Sequence, residues 1–503
     1  MCSAEFCAGA RIEYAPLLRL QAALLVSTMS RQHLFGNEVE RMEGGNTNRL
    51  LQALSSALGP CGLLSSDALG ARATSLWNSE PMSALAMARP KTTSEVSTVL
   101  RLCHEASQEV VVVGGGTGPV AGAEPTANRI AISLERMNQI ESVDPVNASC
   151  VVQAGACLQT VQEAVAGYHL LFPLDLGARG SCTIGGNIST NAGGINVLRY
   201  GSMRSLVLGL EAVLPDGTVI SSMNKLLKNN AGFDLKQLFI GSEGTLGIVT
   251  RAVLRLFPQQ PDRRTAMIAL RGFHEVAQLL QLAKLKFGTM LSAYEVMWQS
   301  YLEEQLRFNG RRSPFEERHA FYVIIETEGA DSQINEALLT ETLETALGDD
   351  IIADAVIAKS EQERRSLWDL RENLEPFLSD KPSFGYDVGV PIGDMPDYVK
   401  LVESNLKRRW PDSICYTMGH IADGNLHFFV KPGRKDARRE DCDEDVYGAL
   451  ESYGGTISAE HGIGYEKRAW LLRTRSAEEM AMMRSLKNAL DPKGILNPGC
   501  VFG

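Results

Sequence analysis

The sequence predicts an α+β protein of two domains whose carboxy-terminal segment packs back on the first domain. Its 503 residues exceed what one compact core usually holds. Strands leading into glycine-rich loops run up to Pro258, and alternating strands and helices with few glycine clusters follow. Glycine- and histidine-rich motifs return only after Gly419. We therefore predict an amino-terminal extension, a first domain, a second domain and a returning segment at residues 1–45, 46–258, 259–455 and 456–503.

The elements of the first domain follow from local patterns. "PKTTSEVSTVLRLCHEA" predicts a helix capped by Thr93 or Ser94, because its apolar residues lie on one stripe. "EVVVVGGGTGPVAGAE" predicts a buried strand that enters a glycine-rich loop, and the segments "RIAISLERMNQIESVDP" and "SCVVQAGACLQTVQEAVAGYHLLFP" continue a βαβ rhythm. "GLEAVLPDGTVI" predicts a hairpin through Asp216-Gly217.

The second domain mixes helices and strands. We predict helices around Phe273–Leu285, Asn335–Leu347 and Glu361–Leu378, and a strand within "SPFEERHAFYVIIETEG". The charged stretch Arg434–Asp445 is interpreted as a solvated loop or the start of a helix.

Charge and cysteine usage exclude several classes of partner. Sixty acidic against 49 basic residues give a net charge of −11, and there is no long basic run, which argues against nucleic acid or an anionic membrane surface. No apolar stretch reaches the roughly 18 residues of a transmembrane helix. The ten cysteines form no Cys-x-x-Cys pair, so we expect reduced thiols and a cytoplasmic location.

The amino terminus is read as an extension rather than a targeting segment. Leu20–Val26 is a short apolar run, but Glu5 and Glu13 precede it and no signal-peptide layout is present. Met29 is an alternative start.

Three glycine-rich segments are candidates for ligand binding. Gly114–Gly118 follows a strand but fits neither G-x-G-x-x-G nor a P-loop; its backbone N–H groups could still converge on an anion. Gly177–Gly194 adds hydroxyls and amides, and Gly241–Gly247 surrounds Glu243. Each segment alone could be a tight turn, but the three together predict a large ligand with a pyrophosphate and a planar ring.

The stretch "GHIADGNLHF" carries two histidines around a turn signal. Asp423-Gly424 predicts a two-residue hairpin turn, which sets His420 directly opposite His427. Opposed β-carbons are about 4.5–5.5 Å apart, so both imidazoles could share one ion. "SAEHGIG" supplies Glu460, and two imidazoles with one carboxylate suit a zinc-like divalent ion with open positions. The alternative is a hydrogen-bonded pair of core histidines.

Long motifs carry a family resemblance. "PLDLGARGSCTIGGNISTNAGG", "RYGSMRSLVLGLEAVLPDGTV", "DLKQLFIGSEGTLGIVT", "GHIADGNLHF", "SAEHGIGYEKR" and "DPKGILNPG" resemble the FAD-linked D-2-hydroxyacid dehydrogenases of the vanillyl-alcohol oxidase type. The match runs from about Pro90 to Pro498. It implies a two-part FAD-binding domain of the vanillyl-alcohol oxidase/PCMH type, a substrate (cap) domain with an antiparallel sheet, and a carboxy-terminal segment that returns to the flavin.

The resemblance also assigns the cofactor contacts. Gly114–Gly118 would wrap the FAD pyrophosphate, and because this loop holds no histidine we expect a non-covalent flavin. The residues that the resemblance places along FAD are Gly114, Gly115, Gly116, Thr117, Gly118, Pro173, Asp175, Ser181, Thr183, Gly186, Asn187, Thr190, Gly193, Glu243, Ile248 and Asn497.

The remaining site residues concern the metal and the substrate. The resemblance implies that a divalent ion, zinc in our prediction, activates the substrate hydroxyl and that a histidine accepts its proton. Its metal ligands would be His420, His427 and Glu460, the general base His461, and the substrate-binding residues Arg371, Asn425 and His461. The alternative for Arg371 is a surface arginine paired with a nearby acid such as Asp369, Glu372 or Glu375.

Two positions depart from the pattern of the 2-hydroxyglutarate enzymes. Glu375 stands where they carry a threonine, and Gly385 where they carry a lysine, so the distal carboxylate of a diacid loses two expected partners; Lys381 lies several residues away. The implied reaction is oxidation of a D-2-hydroxy acid to the 2-oxo acid, with D-2-hydroxyglutarate or D-lactate as candidate substrates. Electrons would pass to a separate acceptor, either an electron-transfer flavoprotein, a quinone or a cytochrome, and a homodimer is compatible with the resemblance.

Three other functions compete with this one. A flavoenzyme of the same fold could transfer an alkyl group without net oxidation, and a metal hydrolase could use the histidines with purely structural glycine loops. An inactive flavin-binding partner subunit is the third.

Overall fold

The computed structural model describes residues 45–380 and 382–502. Our predictions for residues 1–44, including Met29 as a start, and for Lys381 fall outside these ranges. The chain divides into two units, Met1–Ser56 and Ala57–Gly503. Residues 45–58 are helical (α1). Among the described residues, no helix combines the length and the apolarity needed to cross a membrane.

Two sheets precede Pro258. A four-stranded sheet has the order β1-β2-β4-β3 with parallel pairs β2/β4 and β3/β4, and a five-stranded antiparallel sheet has the order β5-β6-β10-β8-β9; β7 pairs with β11. The strands are β1 Leu63–Ser65, β2 Ala86–Ala88, β3 Val110–Val113, β4 Ile130–Ser133, β5 Ile140–Asp144, β6 Ser149–Gln153, β7 Leu170–Leu171, β8 Val207–Val213, β9 Val219–Ser222, β10 Ile248–Arg255 and β11 Phe257–Pro258. The helices are α2 Ser66–Leu69, α3 Thr93–Glu105, α4 Leu158–Ala166, α5 Ile184–Thr190, α6 Val197–Tyr200, α7 Met203–Leu206 and α8 Lys236–Phe239.

A seven-stranded antiparallel sheet follows, in the order β15-β12-β14-β13-β17-β18-β16. Its strands are β12 Asp262–Leu270, β13 Leu291–Trp298, β14 Phe321–Gly329, β15 Asp354–Ile357, β16 Phe384–Gly389, β17 Ile414–Gly419 and β18 Asn425–Lys431. The helices are α9 Phe273–Phe287, α10 Gln299–Phe308, α11 Ser332–Gly348, α12 Glu361–Glu372, α13 Glu375–Leu378, α14 Met395–Arg409, α15 Arg439–Tyr447, α16 Arg468–Thr474 and α17 Ala477–Leu490. Separate apolar clusters cover the two faces of this sheet, as alternation along its strands requires.

Most local predictions are confirmed, with small shifts. The Asp216-Gly217 hairpin joins β8 to β9, and the charged stretch after Arg434 starts helix α15. Helix α3 is capped one residue earlier than predicted, by Thr92, whose hydroxyl accepts a hydrogen bond from Glu95. The predicted helix Glu361–Leu378 breaks into α12 and α13, because Pro376 has no N–H to donate within a continuous helix.

The carboxy-terminal segment returns to the first sheet, as the fold class requires. Val110 at the start of β3 donates its N–H to the carbonyl of Ile495 and accepts from the N–H of Asn497, at 2.8 and 2.9 Å. Our exact boundaries at 258, 455 and 456 stay predictions.

Candidate active site

The hairpin that carries the two histidines differs in register from our prediction. Met418, not His420, lies opposite His427 in the β17–β18 ladder. Residues Ile421–Asp423 form a 3-10 turn, and Gly424 adopts the left-handed conformation with φ of +92°. The turn is therefore longer than two residues, because its N–H groups bond back to the carbonyls of His420 and Ile421. The imidazoles still meet, with ring centroids 5.5 Å apart.

The predicted metal ligands are brought together with Glu460. His420 Nε2 lies 3.7 Å from one carboxylate oxygen of Glu460, and His427 Nε2 lies 3.8 Å from the other. Each of the three residues offers one donor atom, and these three atoms all lie within 4.8 Å of one another. These distances are too long for direct hydrogen bonds, and two imidazoles with a carboxylate are a typical donor set for zinc. The three side chains therefore fit a divalent ion.

Buried charges set the protonation of the histidines. Burial lowers the pKa of His427 well below its usual value, so this imidazole is neutral and its nitrogen free to ligate. Burial acts in the same direction on His420, but the carboxylates of Glu295 and Glu460 outweigh it and raise the pKa of His420 to about 9. Burial, opposed by Asp387, lowers the pKa of His461, which leaves a neutral base.

A fully buried carboxylate, Asp387, organises the segment around the predicted base. Its oxygens accept hydrogen bonds from the backbone N–H groups of Glu460 and His461, at 3.1 and 2.9 Å. Its side chain lies 3.7 Å from Nδ1 of His461 and 3.4 Å from the buried ammonium of Lys467. Burial alone would raise the pKa of Asp387, but His461, the ammonium of Lys467 and the hydrogen bond from the His461 backbone hold it well below its usual range.

Asn425 lies on the same side of β18 as His427. Its amide donates to Asp387 at 3.0 Å, while its buried carbonyl oxygen has no partner. Because an unpaired buried acceptor is costly, a ligand hydroxyl or ammonium in the site would find a ready acceptor here.

Arg371 is not the exposed arginine of the alternative interpretation. It is 5% exposed at the end of α12, and its Nη2 lies 2.7 Å from the buried carboxylate of Glu295. Its Nε and Nη2 nevertheless have no hydrogen-bond acceptor in suitable alignment. The Nε–H is therefore free to donate, whereas Nη2 is already engaged by Glu295 in an ion pair.

The first two glycine segments pack against each other. A β-carbon on Gly114 would lie 3.1 Å from the hydroxyl oxygen of Thr183, and one on Gly115 would overlap the carbonyl of Ser181. Thr183 also caps α5, accepting from the N–H of Gly186. The two segments are therefore in close contact, and binding of the FAD pyrophosphate by their backbone N–H groups stays a prediction.

The third glycine segment is connected to its neighbours by two side chains, those of Asn497 and Glu243, which form hydrogen bonds with backbone groups. Asn497 accepts from the N–H of Val112 at 2.9 Å and donates to the carbonyl of Glu243 at 2.8 Å. The carboxylate of Glu243 accepts from the N–H groups of Ile463 and Gly464, at 2.7 and 2.8 Å. Both side chains thus hold segments together, and their contact with FAD stays a prediction.

The other predicted cofactor residues occupy varied settings. Gly193 lies against Glu460, because a β-carbon there would be 3.1 Å from Oε1. Asp175 pairs with Arg179 and Pro173 accepts from Asn196. Asn187 and Ile248 are buried. The hydroxyl of Thr190 donates to the carbonyl of Gly186 within α5. Gly116 has a positive φ, and Thr117 and Gly118 follow it in the same loop.

We expect Gly115→Ala to lower the melting temperature and weaken FAD retention. The new methyl group must displace the Ser181 carbonyl, and such overpacking typically costs about 1–3 kcal/mol. Gly118→Ala is the matched control from the same loop, because nothing lies within 4 Å of its added β-carbon. Thermal unfolding of both apoproteins checks this; equal melting temperatures would contradict the packing argument.

Three structuring residues were missed by sequence reasoning. Glu295 and Asp387 are charged residues within the apolar segments "SAYEVMW" and "FGYDVGV", whereas Lys467 lies in the polar stretch "GYEKR". A charge within a buried strand was the available signal, since such a charge must be paired.

Comparison with known proteins identifies the family to which the chain belongs. A family model described as "FAD binding domain" matches residues 84–222, and one described as "FAD linked oxidases, C-terminal domain" matches residues 259–501. The chain is 41% identical over 420 residues to the mitochondrial D-2-hydroxyglutarate dehydrogenase of Bos taurus, covering 82% of this chain and 75% of that one. It is 39% identical over 438 residues to the D-2-hydroxyglutarate dehydrogenase of Xanthomonas citri pv. viticola, covering 85% and 91%.

A solved structure shares the fold. The 4-ethylphenol oxidase from Gulosibacter chungangensis superposes with a TM-score of 0.72 at 18% identity, covering 91% of this chain and 97% of that one. One relative is named mitochondrial and the other is not, so our cytoplasmic location stays a prediction. The identities, the coverage and the two matched domains agree, and the chain belongs to the family of FAD-linked D-2-hydroxyacid dehydrogenases, which are oxidoreductases.

Proposed function

We propose that this enzyme oxidises a D-2-hydroxy acid to the 2-oxo acid at a metal centre formed by His420, His427 and Glu460. One observation carries the proposal. The N–H of Gly194, in the glycine segment assigned to the flavin, donates to Glu460 Oε1 at 3.0 Å. The candidate metal ligand and the candidate flavin segment are therefore in direct contact, as transfer between a metal-held substrate and a flavin requires.

Each group would supply one part of the chemistry. FAD, when bound, supplies the redox capacity by accepting a hydride, and a divalent ion lowers the pKa of a hydroxyl that it binds. The protein's own residues orient and deprotonate the substrate. Arg371 would bind the carboxylate through its unpaired Nε–H, and Asn425 would accept a hydrogen bond through its unpaired carbonyl oxygen.

His461 is the proposed general base. Its imidazole is 5.7 Å from that of His427, measured between ring centroids, so it borders the metal site. The lowered pKa keeps it neutral near pH 7, and Asp387, 3.7 Å from Nδ1, favours the imidazolium that forms once it takes the proton.

The flavin and its electrons complete the proposal. FAD is held without a covalent bond, consistent with the absence of histidine from residues 114–118. Electrons leave to a separate acceptor, for which an electron-transfer flavoprotein, a quinone or a cytochrome is proposed.

The substrate test is anaerobic bleaching of the visible band of oxidised flavin in zinc-supplemented protein. D-2-hydroxyglutarate, D-lactate, D-malate and glycolate are compared, with L-lactate as the stereochemical control. We expect D-2-hydroxy acids to bleach the flavin and L-lactate not to do so. No bleaching by any of them, in yellow and zinc-loaded protein, would overturn the proposal.

The same panel distinguishes a preference for D-2-hydroxyglutarate, the acid in the names of both relatives, from a preference for a monoacid. Glu375 is exposed, so solvent screens its repulsion of a second carboxylate. The Gly385 carbonyl accepts from Arg439 at 3.0 Å, and Gly385 itself offers no side chain. Rapid bleaching by the diacid would require another cation for its distal carboxylate, whereas bleaching by monoacids alone would assign specificity to these two positions.

Removing the metal should stop turnover reversibly. We expect dialysis against a strong chelator to lower kcat at least about a hundredfold, since a Lewis acid supplies several kcal/mol to such a step. Added Zn²⁺ should restore the rate, and the visible flavin band should remain throughout as the control. Full activity in demonstrably zinc-free protein would contradict the metal role.

A further inference from the structure

Glu295 is a carboxylate where the fold favours an apolar residue. It is 1% exposed in the middle of β13, and its neighbours on the same face, Ala293 and Met297, belong to an apolar cluster. A charge in such a place is destabilising unless it is closely paired. The groups that pair with Glu295 therefore indicate its role in the protein.

Both partners of Glu295 are residues of the proposed site. Oε1 lies 2.6 Å from Nδ1 of His420, and Oε2 lies 2.7 Å from Nη2 of Arg371. Pairing of Val296 with Gly419, between β13 and β17, fixes the distance between Glu295 and the start of the histidine turn. One rigid strand thus positions both the metal ligand and the candidate carboxylate receptor.

The contact with His420 selects its tautomer. A carboxylate can only accept, so Nδ1 carries a proton, and Nε2 is left as the ring nitrogen that faces Glu460 Oε1, 3.7 Å away, and that would ligate the ion. The contact with Arg371 is an ion pair through Nη2, which leaves Nε without an acceptor.

We propose that Glu295 is a positioning residue that orients His420 for the metal and Arg371 for the substrate carboxylate. The proposal rests on the metal site of the proposed function and extends it to a residue that contacts neither the metal nor the substrate. Loss of Glu295 should weaken two separately measurable affinities at once, which a residue needed only for folding would not do.

The test is Glu295→Gln, with Glu328→Gln as the matched control. Glu328 is a buried glutamate, 3% exposed, on the adjacent strand β14, and its partners are Arg199, Tyr200 and Arg263. Competition with a chromogenic chelator gives the zinc affinity of each apoprotein, and steady-state kinetics give KM and kcat. For Glu295→Gln we expect zinc affinity about 10- to 100-fold weaker and KM about tenfold higher. Glu328→Gln should change both less than about twofold.

The outcomes separate this proposal from the proposed function. Wild-type protein that binds no zinc would refute the metal centre itself. Wild-type protein that binds zinc, with Glu295→Gln equal to it in zinc affinity and KM, would refute the role of Glu295 alone. If Glu295→Gln does not fold, the tautomer decides: long-range ¹H–¹⁵N spectra of histidine-labelled, zinc-loaded wild-type protein, assigned with His420→Gln, should show His420 protonated at Nδ1 and not at Nε2. The opposite tautomer would refute the proposal.

Discussion

We expect Asp387→Asn to lower the free energy of unfolding by about 3–5 kcal/mol, the usual cost of removing one member of a buried ion pair. The substitution leaves the buried ammonium of Lys467 without its carboxylate, which lies 3.4 Å away in the native protein. It also replaces an acceptor of the Glu460 and His461 N–H groups with an amide that cannot accept from all of them. Denaturant and thermal unfolding measure the loss.

The control is the double variant Asp387→Asn/Lys467→Met. Removing both charges should recover part of the lost stability, because the uncompensated ammonium is gone. Activity should not recover with it, since the segment around His461 still lacks its anchor. A double variant less stable than the single one would show that the ammonium is paired elsewhere, for instance by the Ile457 carbonyl at 3.0 Å.

The second large effect is expected at two neighbouring residues with different proposed roles, His461 and Glu460. We expect His461→Gln to lower kcat by about 10²–10⁴-fold, the range for loss of a general base, with zinc still bound. We expect Glu460→Gln to lose zinc, because an amide is a far weaker ligand than a carboxylate, and to lose turnover with it.

Zinc and flavin content per chain, measured after gel filtration, distinguish the two variants. Both should keep FAD, which controls for folding of the cleft. Zinc loss in His461→Gln would make His461 a ligand rather than a base, and zinc retention in Glu460→Gln would remove Glu460 from the metal centre.

The sequence was sufficient for elements whose determinants are local. The Asp216-Gly217 hairpin and helix α3 were predicted because turn residues and apolar periodicity lie within a few positions of each other. The grouping of His420, His427 and Glu460 was also predicted, through recognisable motifs, although the register of the histidine turn was wrong. Its 3-10 turn depends on hydrogen bonds to His420 and Ile421 that Asp-Gly does not specify.

The sequence alone could not predict which buried charges pair when they lie far apart along the chain. Glu295 lies 125 positions from His420, and no local pattern links a glutamate in one strand to a histidine in another. Asp387 is 80 positions from Lys467. The sequence therefore shows that an aspartate in this apolar segment needs a positively charged partner, but it does not show that Lys467 is that partner. Which buried charges pair is a property of sheet order, and strand order here departs from chain order at most neighbours.

The bond between Val112 and Asn497 spans 385 positions, which bears on biosynthesis. A ribosome adding about 5–20 residues per second needs on the order of half a minute to make the chain between them. During that interval the glycine loop after β3 lacks the segment that hydrogen-bonds to β3, so the contacts of Val110 and Val112 with residues 495–497 form only after that segment has been made.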